Sequence, residues 1–417
     1  MMGSTMLYAG RNSKDLASFA PYQNSNAKMA YQNSVLHPDF KLGVLGGGQL
    51  GKMMALAAGN WHLPLYLLDQ SPDFPAGRVS PFFTTGNFKD YDDVYNFGKD
   101  KNVLTIEIEH VNTKALHQLA QEGVVVHPHP AKLDIIKDKG LQKQFYAERD
   151  IPTSPFRLYE DEHAVRQAVE QGEERLPFVQ KTRTAGYDGK GVSVIKTAAD
   201  LKEKLLPGAC LIEDLVDIDK EIAVIVARNA SGEVKAFPAV EMAFNPDANL
   251  VEFLFCPANI SEATEQAAEG LAIEVIEDFD LCGLLAVELF LDQSGQLLVN
   301  EVAPRPHNSG HHTIDSCYTS QFEQHIRAVL DLPLGSTQMK SPSVMVNLLG
   351  APEQTGPAYY EGLEECLNVE GAKLHLYGKT KTKPYRKMGH ATVVDRSMEK
   401  AVEKARLVQR TLKIVAG

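Results

Sequence analysis

Two acids offer the sharpest chemistry in this 417-residue chain. Glu288 sits in Ala286-Val287-Glu288-Leu289-Phe290-Leu291, and Glu301 in Leu297-Leu298-Val299-Asn300-Glu301-Val302. Asp292-Gln293-Ser294-Gly295-Gln296 links them. Both flanks are apolar and strand-like and the link is short with a glycine, so a β-hairpin is expected. A two-residue turn at Ser294-Gly295 sets Glu288 opposite Glu301, with Cβ atoms roughly 4.5–5.5 Å apart. Like charges that close call for a cation between them. Carboxylates so placed suit Mg²⁺, which shares protein oxygens with nucleotide phosphates. The competing reading, two solvated acids on an open sheet face, fits the apolar flanks poorly.

Other candidate groups depend on the elements that carry them. Lys41-Leu42-Gly43-Val44-Leu45 reads as a buried strand, followed by Gly46-Gly47-Gly48-Gln49-Leu50-Gly51 and a helical run from Lys52 to Ala58. A second strand from Leu63 to Leu68 ends in Asp69. Strand, glycine turn, helix, strand and acid match the dinucleotide fingerprint. The same turn suits any anion, because free N–H groups and the helix dipole favour negative charge; glycines that merely permit tight packing are the plainer reading. Val103 to Val111 forms another buried strand with acids at its end. Ligands bind beyond the carboxyl ends of such strands, which nominates Glu109.

In the middle of the chain, Lys139 and Lys143 share a helix face, usually a solvated one. A strand from Leu176 to Lys181 runs into Thr182-Arg183-Thr184-Ala185-Gly186-Tyr187-Asp188-Gly189-Lys190-Gly191 and returns through Val192 to Ile195. Three glycines and basic residues between two strands suggest a flexible lid for phosphates, not a Walker loop. The strand Cys210 to Val216, the link Asp217 to Glu221 and the strand Ile222 to Ala227 follow, with Glu221 placed to meet ribose hydroxyls. Towards the C-terminus, strands begin at Val344 and Ala372, a basic run extends from Lys379 to Lys387, and a helix covers Ser397 to Leu412. In a chain of net charge −12, that basic run reads as a phosphate site rather than a solvated loop.

That net charge argues against a nucleic-acid partner or an anionic membrane surface. No apolar run reaches the roughly 18 residues of a membrane span. Five scattered cysteines point to a reducing compartment, and a cytoplasmic location is expected. Residues 1–40 lack apolar periodicity and are expected to be a poorly ordered extension.

The order of elements resembles the ATP-grasp superfamily. Asn300-Glu301-Val302-Ala303-Pro304-Arg305-Pro306-His307-Asn308-Ser309-Gly310-His311, Gly186 to Gly191, and Arg386-Lys387-Met388-Gly389-His390 narrow the resemblance to the N5-carboxyaminoimidazole ribonucleotide synthases of purine biosynthesis. It spans about residues 41–410. It implies a mixed α/β and α+β chain: a Rossmann-like pre-ATP-grasp domain (41–137), an ATP-grasp domain (138–341, lid about 152–207) and a small C-terminal domain (342–417). ATP would meet Lys143, Lys181, Gly186, Tyr187, Asp188, Gly189, Lys190, Gly191, Glu213, Val216, Glu221, Asn300 and Glu301. Glu288 and Glu301 would hold Mg²⁺, or Mn²⁺ in its place. Aminoimidazole ribonucleotide would meet Gly48, Gln49, Leu50, Glu109, Tyr187, Asp188, Lys190, Arg305, His307, Asn308, Lys379, Arg386 and Lys387. Asp188, Arg305 and Lys379 carry the catalytic assignments, and a homodimer is expected. In two places the chain departs from the pattern. Phe244 stands where the family often has a His, and Lys190 keeps the charge of an Arg without its bidentate grip.

The reaction implied is ATP-dependent carboxylation by bicarbonate through carboxyphosphate. Two other classes stay open at this point. An NAD-dependent oxidoreductase is favoured only by the glycine fingerprint; a non-catalytic nucleotide-binding relative is disfavoured by retention of both Glu288 and Glu301.

Overall fold

The structure, a computed structural model, describes residues 35–184, 186, 191–245 and 250–417. The expected extension up to residue 34, and Tyr187, Asp188, Gly189 and Lys190, lie outside the described residues.

The N-terminal region is a five-stranded parallel sheet in the order Phe83–Thr85, Leu65–Asp69, Leu42–Leu45, Val103–Ile106, Val125–Val126. Leu42–Leu45 and Val103–Ile106 are buried throughout, as strands covered on both faces must be. They are neighbours, and the chain order reverses between them. The Gly46–Gly51 turn and the acids from Glu107 therefore emerge side by side at the carboxyl edge, where open α/β sheets place ligands.

A four-stranded antiparallel sheet follows, ordered Phe156–Tyr159, Cys210–Asp214, Phe178–Thr182, Val192–Ile195. It carries the glycine loop between its last two strands. The largest sheet runs Leu297–Ala303, Gly283–Asp292, Ile218–Arg228, Val240–Asn245, Leu250–Cys256, Ser343–Leu349, Lys387–Val394, Ala372–Leu376, with Val234–Ala236 as a ninth strand beside Ile218–Arg228. The sequence suggests a C-terminal domain from about residue 342, and its first strand joins this sheet: Phe253 to Cys256 pair with Val346 to Ser343. The helix Glu262–Asp278, capped by Ser261, buries Ala268, Leu271, Ala272, Val275 and Ile276 against one face. The helix Met398–Thr411 covers the strands at the C-terminal end. Ile218–Arg228 begins earlier than expected, so Glu221 lies inside a strand and not in a link. All five cysteines are buried and free. Among the described residues no helix is long and apolar enough to cross a membrane.

Candidate active site

The acid hairpin is built differently from the expectation, with the same outcome. A two-residue turn would pair Leu291 with Leu298. Instead Leu291 pairs with Leu297, Phe290 with Leu298 and Leu289 with Val299. Asp292 organises the longer loop: its Oδ1 accepts from Ser294 N at 2.9 Å, Ser294 Oγ at 2.7 Å and Gln296 N at 2.8 Å. Gly295 supplies the left-handed residue, φ 85°. A bulge at Asn300 then shifts the register back, and Glu288 faces Glu301. The bulge also presents Asn300, whose Oδ1 accepts from Lys181 Nζ at 2.7 Å.

Burial and the neighbouring Glu301 push the Glu288 carboxyl up from its ordinary range. Lys139, ion-paired with Glu301 Oε2, holds the Glu301 carboxyl down. His307 Nε2 stands 3.6 Å from Glu288 Oε1. The pair is thus a half-buried anionic seat that draws cations, which fits a divalent metal. Among the described residues no cluster of three or more His, Cys, Asp or Glu side chains is preassembled for a metal. Two carboxylates completed by phosphate oxygens and water form the donor set that Mg²⁺ takes.

Behind this seat, Glu213 bridges two lysines. Its Oε1 lies 2.8 Å from Lys143 Nζ and its Oε2 lies 2.7 Å from Lys181 Nζ. Burial pushes Glu213 up, but Lys181 and Lys143 outweigh it and hold its carboxyl low. Burial pushes the Lys143 ammonium down to about 8. Val216 is half-buried just past this strand, and Glu221 lies half-buried in the strand beside Glu288.

In front of it opens a cavity of about 830 Å³. Glu288, Glu301, Gly48, Gln49, Leu50, Glu109, Gly186, Arg305, His307, Asn308, Lys379, Arg386 and Lys387 all line it, as do Lys139, Arg183, Phe244 and Glu107. Lys143, Lys181, Gly191, Glu213, Val216, Glu221 and Asn300 do not; they stand outside the cavity. Arg305 Nη2 pairs with Glu109 Oε1 at 2.7 Å. Lys379 Nζ donates to the Lys387 carbonyl at 2.7 Å, and Arg386 Nη1 to the Lys381 carbonyl at 2.6 Å. Asn308 and Asn347 exchange reciprocal amide bonds of 2.8–2.9 Å. Gly191, at φ 84°, closes the glycine loop through Thr182 N to its carbonyl, 2.8 Å.

The glycine turn departs from the expectation of free N–H groups. Gly47 N donates to Asp69 Oδ2 at 2.7 Å, Gly48 N to Glu107 Oε1 at 2.6 Å and Gly51 N to Glu107 Oε2 at 2.5 Å. A Cβ on Gly46 or Gly48 would overlap the Glu107 side chain. The glycines admit an internal carboxylate, and a cofactor pyrophosphate would find those three amides taken.

Three stretches of the chain match known protein families. Residues 40–137 match the ribonucleotide synthetase preATP-grasp domain, residues 144–322 the ATP-grasp domain and residues 343–404 the phosphoribosylaminoimidazole carboxylase C-terminal domain. The N5-carboxyaminoimidazole ribonucleotide synthase of Bacillus subtilis is 38% identical over 362 residues, covering 86% of this chain and 92% of that protein. The chain belongs to the N5-carboxyaminoimidazole ribonucleotide synthase family.

The crystal structure of the synthetase from Thermotoga maritima superposes with a TM-score of 0.83 at 43% identity, covering 91% of this chain and 100% of that one. The Aspergillus clavatus synthase, solved with ADP and 5-aminoimidazole ribonucleotide, gives 0.81 at 33% identity, covering 89% and 98%. Within this synthase family the three-part ATP-grasp architecture is the one found here. Lys139 and Glu107, both in the cavity wall, escape the sequence reading of binding groups. Lys139 was visible only as the helix neighbour of Lys143, and Glu107 only as the first acid of Glu107-Ile108-Glu109; neither spacing says which partner each would find.

Proposed function

We propose that the chain carboxylates the exocyclic amine of 5-aminoimidazole ribonucleotide, using ATP and bicarbonate and releasing ADP and phosphate. The observation that carries this reading is the juxtaposition of the Glu288–Glu301 pair with a basic cavity on one side and the Lys143–Glu213–Lys181 cluster on the other. The cluster is the proposed nucleotide side, with Val216 and Glu221 at the base and ribose. The cavity is the proposed side for aminoimidazole ribonucleotide.

Bicarbonate is a poor electrophile. A bicarbonate oxygen attacks the γ-phosphorus, the bond to ADP breaks and carboxyphosphate forms. The amine nitrogen then bonds to its carbon while the C–O bond to phosphate breaks. Lys143 and Lys181 neutralise phosphate charge, and covering the reacting groups is the role proposed for the glycine loop. When bound at Glu288 and Glu301, Mg²⁺ or Mn²⁺ would offset the charge that builds on the phosphoryl oxygens. Arg305 is the proposed bicarbonate contact, Asp188 accepts the amine proton, and Lys379, Arg386 and Lys387 hold the substrate phosphate, with His307, Asn308 and Glu109 beside them. Carboxyphosphate hydrolyses in water, so loop closure must exclude it. Free buried cysteines support a reducing, cytoplasmic setting; a homodimer completes the reading, to be checked by sedimentation.

The test is ADP release. It should require both bicarbonate and aminoimidazole ribonucleotide; ADP release unaffected by omitting the ribonucleotide contradicts the reading.

A further inference from the structure

Lys139 opens the helix Lys139–Glu148, and its ammonium is paired with Glu301 Oε2. Glu301 faces Glu288 across the hairpin, so the ammonium sits on one member of the acid pair while His307 Nε2 stands 3.6 Å from the other. The helix end that delivers this ammonium is fastened in place. Asp138 caps it through Gly140 N at 2.8 Å and Leu141 N at 3.2 Å. The Arg183 guanidinium binds both Asp138 oxygens, at 2.8 and 2.7 Å, and Lys139 N donates to the Arg183 carbonyl at 2.8 Å. Arg183 lies just past the strand Phe178–Thr182, where the glycine loop begins. The lysine is therefore held at the root of that loop, not swinging from a free surface.

We propose that Lys139 is a resident counter-cation of the Glu288–Glu301 pair, occupying the metal's seat in the nucleotide-free enzyme and leaving Glu301 for the nucleotide phosphates when metal and nucleotide enter together. This rests on the metal reading proposed above.

The argument is one of competing cations. An ammonium on Glu301 Oε2 engages the oxygen that a metal would need, and a metal sits only about 2.0–2.1 Å from its oxygens. Both cations on that oxygen would repel at short range. A metal alone must displace the lysine with no compensation. A metal carrying nucleotide phosphates brings new anionic partners for the displaced ammonium. The device favours entry of metal with nucleotide over metal alone, so the acid pair is not filled by a bare cation.

Mn²⁺ binding to the full-length protein, read by electron paramagnetic resonance without nucleotide, tests this. Lys139→Met should bind one Mn²⁺ on the order of tenfold more tightly than the parent, within the usual range for coupled ligands. Lys139→Arg keeps the charge and should behave as the parent. Lys139→Gln gives the same comparison if the Met variant fails to fold. Equal Mn²⁺ affinity in the parent and the neutral variant overturns the proposal. With ADP present, Glu288→Gln must weaken Mn²⁺ binding in every background; if it does not, the metal reading itself fails, whatever Lys139 does.

Discussion

The Glu107 carboxylate accepts the amides of Gly48 and Gly51, closing from within the helix end that a dinucleotide would use. Asp69, the fingerprint's acid, is spent on Gly47 N. NADH should give no heat of binding in calorimetry. Glu107→Ala should instead lower stability by about 1–3 kcal/mol per stranded buried amide, read by urea denaturation. Tight NADH binding would contradict the occupied turn.

Glu288→Gln and Glu301→Gln should each cut turnover by orders of magnitude. Glu288→Gln should leave the melting temperature in metal-free buffer unchanged or higher, since it removes a carboxyl whose charged form burial and the facing Glu301 already disfavour. Near-normal turnover at saturating Mg²⁺ in either variant would refute the metal assignment.

Lys379→Ala and Arg386→Ala should raise KM for aminoimidazole ribonucleotide far more than KM for ATP. Losing one charge-assisted bond costs on the order of 1.5–3 kcal/mol, roughly 10- to 150-fold. Equal increases for both substrates would point to a general defect instead.

Nucleotide binding should take up a proton above about pH 8. Burial holds the Lys143 ammonium near that value in the free enzyme, and a phosphate beside it favours the charged form. Between pH 8 and its restored value, the bound enzyme carries a proton that the free enzyme lacks. Calorimetry at pH 8.5 in buffers of different ionisation enthalpy should detect the uptake, and Lys143→Gln should abolish it. Buffer-independent heats would contradict it.

Stability should fall as pH drops below 6.5. Burial lowers His127 and His312 to about 4 and His325 to about 3. Below 6.5 the unfolded chain binds protons that these folded sites refuse, so the loss runs from there down towards the folded values. Each group contributes about 1.4 kcal/mol per pH unit within that window. A flat unfolding free energy between pH 7 and 5 would show that these rings titrate normally.

Much of the fold was legible because its signals are local. Apolar runs such as Val103 to Ile106 mark their elements directly. The facing of Glu288 and Glu301 was inferred through a turn that is not built; the loop at Asp292 and the bulge at Asn300 offset each other. Neither could be read from spacing, because turn length and bulge depend on which backbone groups find partners in three dimensions. Lys139 and Glu107 were missed for a related reason. Their partners, Glu301 and Gly51, lie far off in sequence, and no local pattern encodes a carboxylate reaching into a glycine turn.

The large sheet carries the acid pair at one end and, through Lys387–Val394, part of the basic cavity wall at the other. Its strand Leu250–Cys256 is paired on one side by Val240–Asn245 and on the other by Ser343–Leu349. A chain ended at residue 342 would strip that second side and leave a bare row of amides and carbonyls beside Phe253 and Phe255. Such an edge recruits other chains. The C-terminal segment thus also acts as a stopper against self-association, and a truncated protein is expected to precipitate rather than persist as a smaller soluble ligase.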